Sequence, residues 1–211
     1  MTKFKAHDEI YISYWCKFSS DFDFVKGGKM PGPGAINPET GNGCPGGGNP
    51  ADGTNGFSAR ADWKSSNSYG AIYNYVYHAD QPTDYGESLM WDDGALGQIK
   101  GQSDRGEWHH YEMRVVINTP GKYDGIIQAW YDGVFAAERK NYRFRTADTF
   151  AVDCFYFSTY FGGGDSSYAP SKDEYAYFDN IVISTERIGP ITYKTQSPLD
   201  PPENLRIAIA Q

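Results

Sequence analysis

Apolar and polar positions alternate with a period of two along most of this chain, as they do in strands with two unlike faces. Over 57–63, Phe57, Ala59, Ala61 and Trp63 fall on one side, and Ser58, Arg60 and Asp62 on the other. Over 71–78, Ile72 and Val76 oppose a row of Tyr73, Tyr75 and Tyr77. Over 9–24, Ile10, Ile12, Tyr14, Cys16 and Phe18 share one face. Further strands are predicted over 108–118, 150–161 and 175–185, and a short one near 89–91. The stretch 124–133 reads as a strand closed by the turn-forming pair Asp132-Gly133. No strand is predicted ahead of residue 8. No segment keeps a helical period and no internal repeat is present, so the fold class is all-β.

The punctuation between these strands is uneven. Lys26-Gly-Gly-Lys-Met-Pro-Gly32 reads as a short cationic loop, in which glycine allows close backbone approach to a ligand. Residues 31–56 hold most of the Gly, Pro and Asn, and a loop of that length inside a domain suggests a role at a site. Residues 80–107 are also loop-rich. After residue 188 the chain turns proline-rich. The expected organisation is a β domain over 1–188 and a linker or tail over 189–211. The tail's Pro-Pro-x-Asn-Leu pattern is similar to the opening of fibronectin type III modules, so a further module is expected to start there.

Composition narrows the partners. With 211 residues, 16% aromatics, 17 Tyr, 12 Phe and 24 Gly, the chain suits one large domain of strands and turns. A net charge of −8 argues against nucleic acid as the main partner. No run is long and apolar enough to span a bilayer, and residues 1–5 lack the apolar segment of a signal peptide. No membrane partner is expected, and the chain is expected to be a monomer. Cys16, Cys44 and Cys154 fit no zinc spacing. Cys16 and Cys154 sit in strand-like runs, whereas Cys44, in a loop, is the better candidate for a bridge. Asp52 and Asn55 suggest a structural Ca²⁺, but their spacing completes no calcium loop. No metal or other cofactor is called for.

An acidic protein binds an anion only through a locally basic site, and Lys26, Lys29 and Arg60 supply one. A face carrying Ser58, Arg60 and a tyrosine row resembles the lining of a groove for a sugar chain, where phenol rings give flat contact and a polar tip. Each residue also has a plainer reading: Lys29 as a solvated lysine, Arg60 paired with Asp62, the tyrosines as cross-strand packing. Gln128 shares a strand face with Trp130 and is a candidate sugar contact; Trp130 is equally a core residue. His78 points away from the tyrosine row by parity, and His109 and His110 read as structural.

Five segments together resemble a known family. They are Phe22-Asp-Phe-Val-Lys-Gly-Gly-Lys-Met-Pro-Gly32, Gly56-Phe-Ser-Ala-Arg60, Tyr73-Asn-Tyr75-x-Tyr77, Phe157-Ser-Thr-Tyr-Phe-Gly-Gly-Gly-Asp165 and Phe178-Asp-Asn-Ile181. They are similar to polysaccharide lyase families 14 and 20, the alginate and glucuronan lyases, over roughly 8–185. The resemblance implies a two-sheet antiparallel β-jelly roll, a concanavalin-like sandwich with a concave substrate groove. It implies secretion, and β-elimination on a polyuronate that leaves a 4,5-unsaturated uronic acid end. It carries catalytic roles to Lys29, Arg60, Tyr73 and Tyr75, with Tyr75 and Tyr77 as the alternative pair. Substrate contacts fall to Lys26, Ser58, Tyr77 and Gln128.

The chemistry suits these residue types. Removing H5 of a uronate builds charge on its carboxylate, which Arg60 and Lys29 would stabilise. A tyrosine is the expected base toward H5 and acid toward O4, its phenol pKa lowered by the same cations. Two other readings stand beside this one. The first is a carbohydrate-binding module without turnover. The second is a glycoside hydrolase, which the absence of a Glu-x-Asp-x-Glu run disfavours.

Overall fold

The computed structural model describes residues 1–66, 69–91 and 102–190 and the backbone of 208–209. Part of the expected 80–107 loop and most of the 189–211 tail lie outside the described residues. In chain order the strands are β1 (Thr2–His7), β2 (Glu9–Phe18), β3 (Gly27–Lys29), β4 (Gly32–Ile36), β5 (Gly56–Ser66), β6 (Tyr69–Tyr77), β7 (Glu87–Met90), β8 (Gln102–Ser103), β9 (His109–Val116), β10 (Gly125–Tyr131), β11 (Val134–Tyr142), β12 (Val152–Tyr156), β13 (Tyr160–Phe161), β14 (Ala176–Ser184) and β15 (Ala208–Ile209).

Among the described residues these strands form two sheets, as expected for a jelly roll. The larger is nine-stranded and runs β1-β12-β4-β5-β3-β13, with β6 on the free edge of β5 and β7 and β8 on β6. The smaller is six-stranded, in the order β11-β10-β9-β2-β14-β15. The ladders are antiparallel except for β15, which lies parallel to β14. Thus 208–209, expected within the tail, extend the edge of the smaller sheet.

The alternation read in the sequence builds the core. Ile10, Ile12, Tyr14, Cys16 and Phe18 of β2 are all buried, beside Tyr111, Met113 and Val115 of β9. Phe57, Ala59, Ala61 and Trp63 of β5 face them from the other sheet. Burying each large side chain contributes about 1.5–3 kcal/mol. An aromatic cluster closes one end. Phe18 lies 4.6 Å from Phe22, 5.0 Å from Phe24 and 5.4 Å from Trp63, and Trp63 is 5.6 Å from Phe161.

Several boundaries differ from the expectation. β1 precedes residue 8 and pairs with β12. The strand expected over 9–24 ends at Phe18, and Phe22 and Phe24 reach the core from outside any strand. The expected 26–32 loop is instead strand: β3 and β4 both pair with the same edge of β5, on either side of Met30 and Pro31. Glycine makes this approach possible. A Cβ on Gly28 would lie 2.0 Å from the Trp63 ring, and one on Gly32 would lie 2.6 Å from Arg60 Cα. The 150–161 strand is split into β12 and β13. The Asp132-Gly133 turn forms, with φ of 49° and 80°, and leads into β11, for which the sequence pattern gives no signal. Bulges in the β10–β11 ladder and the charged run 138–140 break the alternation there.

The glycine dependence of β3 is testable by thermal melting. Gly28→Ala should destabilise the fold by about 1–3 kcal/mol, as overpacking of a closed core does. Gly164→Ala, where no atom lies within 4 Å of the added carbon, should leave the melting temperature unchanged.

Candidate active site

The polar face of β5 is as dry as its apolar face. Ser58, Arg60 and Asp62 are 0%, 1% and 0% exposed. Register puts Ser58 opposite Tyr77, Arg60 opposite Tyr75 and Asp62 opposite Tyr73 on β6. On the other edge Lys29 of β3 pairs with Asp62, and Tyr160 of β13 pairs with Lys29. Period two therefore lines up Tyr160, Lys29, Asp62 and Tyr73 across four strands, with Arg60 and Tyr75 in the neighbouring row.

Contacts within the cluster follow. Lys29 Nζ forms an ion pair with Asp62 Oδ2 and stands 4.1 Å from the centre of the Tyr75 ring. The Tyr73 hydroxyl donates to the same carboxylate oxygen at 3.3 Å. Arg60 Nη1 donates to Ser158 Oγ at 3.2 Å, and its guanidinium stacks 5.0 Å over Tyr156. Tyr75 and Tyr77 meet edge to face at 5.3 Å. Two buried polar atoms, Arg60 Nε and Asp62 Oδ1, have no hydrogen-bond partner among the described residues. Leaving such groups without a partner is costly, and it adds to the strain stored in the cluster.

Burial and charge set the protonation states. Burial raises the Asp62 carboxyl to about 6, although Lys29 and Arg60 pull it down. Burial lowers the Arg60 pKa, but Asp62, Tyr160 and Tyr156 outweigh it and the guanidinium stays charged. Tyr73 is raised, by burial and then by the Asp62 charge. Tyr77 is raised by burial and by Tyr75. Tyr75 is raised by burial, against the pull of its hydrogen bond with Tyr77 and of Arg60. The expectation that the cations would depress the phenol pKa is therefore corrected: desolvation wins, and all three tyrosines stay neutral at neutral pH.

Above this cluster runs a groove of two adjoining hollows, about 380 and 540 Å³, that share Lys29, Tyr75 and Tyr85. Lys26, Lys29, Arg60 and Lys64 line it, and no carboxylate does among the described residues. Lys26 donates to Ser167 Oγ at 2.5 Å, and Lys64 lies 4.6 Å over the Tyr73 ring. Gly47 and Gly48 form one wall and Gly163 and Gly164 another, so the long glycine-rich loop does reach the site.

The structure thus brings Lys26, Lys29, Arg60, Tyr73, Tyr75 and Tyr77 together. Ser58 lies on the same face, but its hydroxyl donates to Pro45 O at 2.6 Å beneath the loop and is closed to the groove. Gln128 is not at the site. It lies on β10 of the other sheet, accepting from Arg114 at 2.6 Å and donating to Glu138 at 2.5 Å. The histidines are structural, as expected: His78 bonds Glu87 at 2.6 Å, His109 bonds Asp132 at 2.8 Å, and burial lowers His110 to about 4. Asp52 spends one carboxylate oxygen on Thr54 and Asn55, an ordinary turn cap. Sequence reasoning saw Asp62 only as a partner for Arg60 and missed Tyr85, Tyr156 and Tyr160. Tyr160 stood inside a quoted motif, which was the available signal.

The family model described as Polysaccharide lyase 14 matches residues 1–181. No curated protein matches the chain by sequence at a significant level. Among solved structures, alginate lyase Aly36B is similar at 27% identity and a TM-score of 0.69, over 85% of this chain and 70% of that one. A structure of an Aly36B mutant contains an alginate tetrasaccharide. The marine PL-14 alginate lyase from Aplysia kurodai is 27% identical, with a TM-score of 0.65, over 87% of this chain and 72% of that one. The alginate lyase vAL-1 from Chlorella virus shares the fold at 20% identity and a TM-score of 0.62, over 82% and 69%.

The Asp62 environment predicts a pH-dependent stability. Its folded pKa of about 6 lies above the ordinary 3.8, so its contribution is full below the unfolded value and is lost as pH rises through 6. Two pH units correspond to about 3 kcal/mol. Denaturant melts of the Asp62→Asn protein should lack that share of the difference between pH 4 and pH 7.

Proposed function

Because the chain belongs to polysaccharide lyase family 14, we propose that it cleaves alginate, or another polyuronate such as glucuronan, by β-elimination at the Lys29–Asp62–Arg60–Tyr75 cluster. The observation that carries this reading is the cationic groove floored by neutral phenols. A polyuronate needs its charge matched along a chain, and one of its carboxylates matched closely. Alginate is favoured because alginate lyases stand among the similar structures.

The steps are assigned as follows. Arg60, which lines the groove, neutralises the carboxylate on C5 and stabilises the charge that builds there when H5 leaves. Lys29 gives a proton along its existing contact to Asp62; an ammonium is the weaker acid, so this transfer runs uphill, and the raised carboxyl pKa makes it less steep. The amine so formed takes H5. Tyr75, held as a neutral phenol, donates its proton to O4 as the C4–O4 bond breaks and the C4–C5 double bond forms. Lys29 returns a proton to the phenolate, and Asp62 returns one to Lys29. The assignment differs from a single tyrosine doing both tasks because burial keeps Tyr75 protonated. Protein cations meet the charge requirement, so we assign the reaction no metal. A polymer substrate too large to enter a cell favours action outside it.

Addition of alginate should produce growing ultraviolet absorbance from the conjugated uronate and a matching set of unsaturated oligomers by mass. A chain that only retards in alginate gels, with no new ends, would be a binding module instead. Tyr75→Phe should lower kcat by about 10²-fold or more, while Gln128→Ala should leave turnover unchanged. The pH profile of kcat/KM should fall on the acid side with a midpoint of about 6, where Asp62 becomes protonated. Asp62→Asn should lose both that limb and most of the rate.

A further inference from the structure

Cys44 and Cys154 lie 110 residues apart in sequence, yet their sulfurs are 3.0 Å apart and buried. The facing strand leaves room for both sulfurs. Cys154 of β12 stands opposite Gly34 of β4, and a Cβ on Gly34 would lie 3.0 Å from Cys44 Sγ and 3.4 Å from Cys154 Sγ. The strand is therefore bare where the pair sits. Cys16, the remaining thiol, belongs to β2 of the other sheet and packs in the core. Around the pair, Pro45 O receives the Ser58 hydroxyl. Two residues beyond Cys44, Gly46 and Asn49 exchange both backbone hydrogen bonds at 2.9 Å. That small hairpin carries Gly47 and Gly48 to the groove wall. Two residues beyond Cys154 is Tyr156, on which Arg60 stacks.

We propose that Cys44 and Cys154 form a disulfide when the chain folds against a small-molecule disulfide, and that this link fixes the Gly47–Gly48 hairpin over the Arg60 end of the groove. The thiolate of one cysteine attacks the small disulfide, joins to one of its sulfurs and releases the other half as thiolate. The second cysteine then displaces the remaining half. Two S–H bonds are lost, one S–S bond forms, and the small disulfide is reduced to two thiols. Cross-linking so distant a pair removes much of the freedom of the unfolded chain. The inference stands apart from the lyase reading, since its test involves no substrate.

The test uses the full chain, refolded in a mixture of oxidised and reduced glutathione or kept in excess reductant. After oxidative refolding, thiol titration in denaturant should find one free thiol of the three, and peptide mapping should recover a 44–154 cross-linked peptide. The oxidised protein should melt about 10 °C above the reduced one. Its Gly46 and Asn49 amides should exchange hydrogen more slowly. Cys44→Ser should abolish these redox differences and Cys16→Ser should retain them. Three titratable thiols, glutathione adducts alone or a link through Cys16 would overturn the disulfide. Equal amide exchange in the two forms would overturn the fixing of the hairpin.

Discussion

A buried carboxylate, ion-paired with Lys29 and lying in the field of Arg60, governs the outer face of the larger sheet. Asp62 has no contact with solvent, and a lone charge there would be prohibitive. Lys29 arrives from one neighbouring strand, Arg60 from the same strand two residues back, and the Tyr73 hydroxyl from the other neighbour. The arrangement is only as good as its alignment, because removing one partner leaves the others uncompensated. It therefore requires β3, β5 and β6 to hold one register. The glycines of β3 and β4 and the dense aromatic cluster behind Trp63 provide the close fit that keeps them there.

The same burial gives the site its chemistry. Desolvation lifts the carboxyl toward neutrality and keeps the phenols protonated, so the cluster holds a proton acceptor and a proton donor under one set of conditions. Arg60 remains charged because three neighbours support it. Lys26 and Lys64 extend the positive field along one hollow of the groove, although the whole chain is acidic. Net charge describes the average surface and leaves the sign of a cleft open.

The two faces of β5 and β6 were legible because β5 alternates without a break over seven residues and β6 repeats tyrosine at every second position from 73 to 77. The all-β class and the meeting of Lys29, Arg60 and the tyrosines were legible too, the last through the family motifs. Glycine hid β3 and β4: a strand that carries almost no side chains has no pattern to read. Bulges hid β11. Gln128 shows a different limit. Parity places a residue on a face, but does not say which sheet that face belongs to, and Gln128 faces outward from the smaller one. Tyr160 and Ser158 come from a segment about a hundred residues beyond β5, a distance over which no local pattern speaks.

Lys29 and Met30 are neighbours with opposite destinations. The ammonium meets Asp62 on the outer face, while the thioether is wholly buried in the core. Because side chains on a strand alternate, a shift of β3 by a single position would exchange them, sending a charge into the sandwich and a hydrophobe into the groove. The chain length between the Phe22–Phe24 anchor and Gly32 is consequently fixed. A loop bound by no register can lengthen at little cost, whereas an insertion in this short stretch would part Lys29 from Asp62 while leaving both residues in the chain.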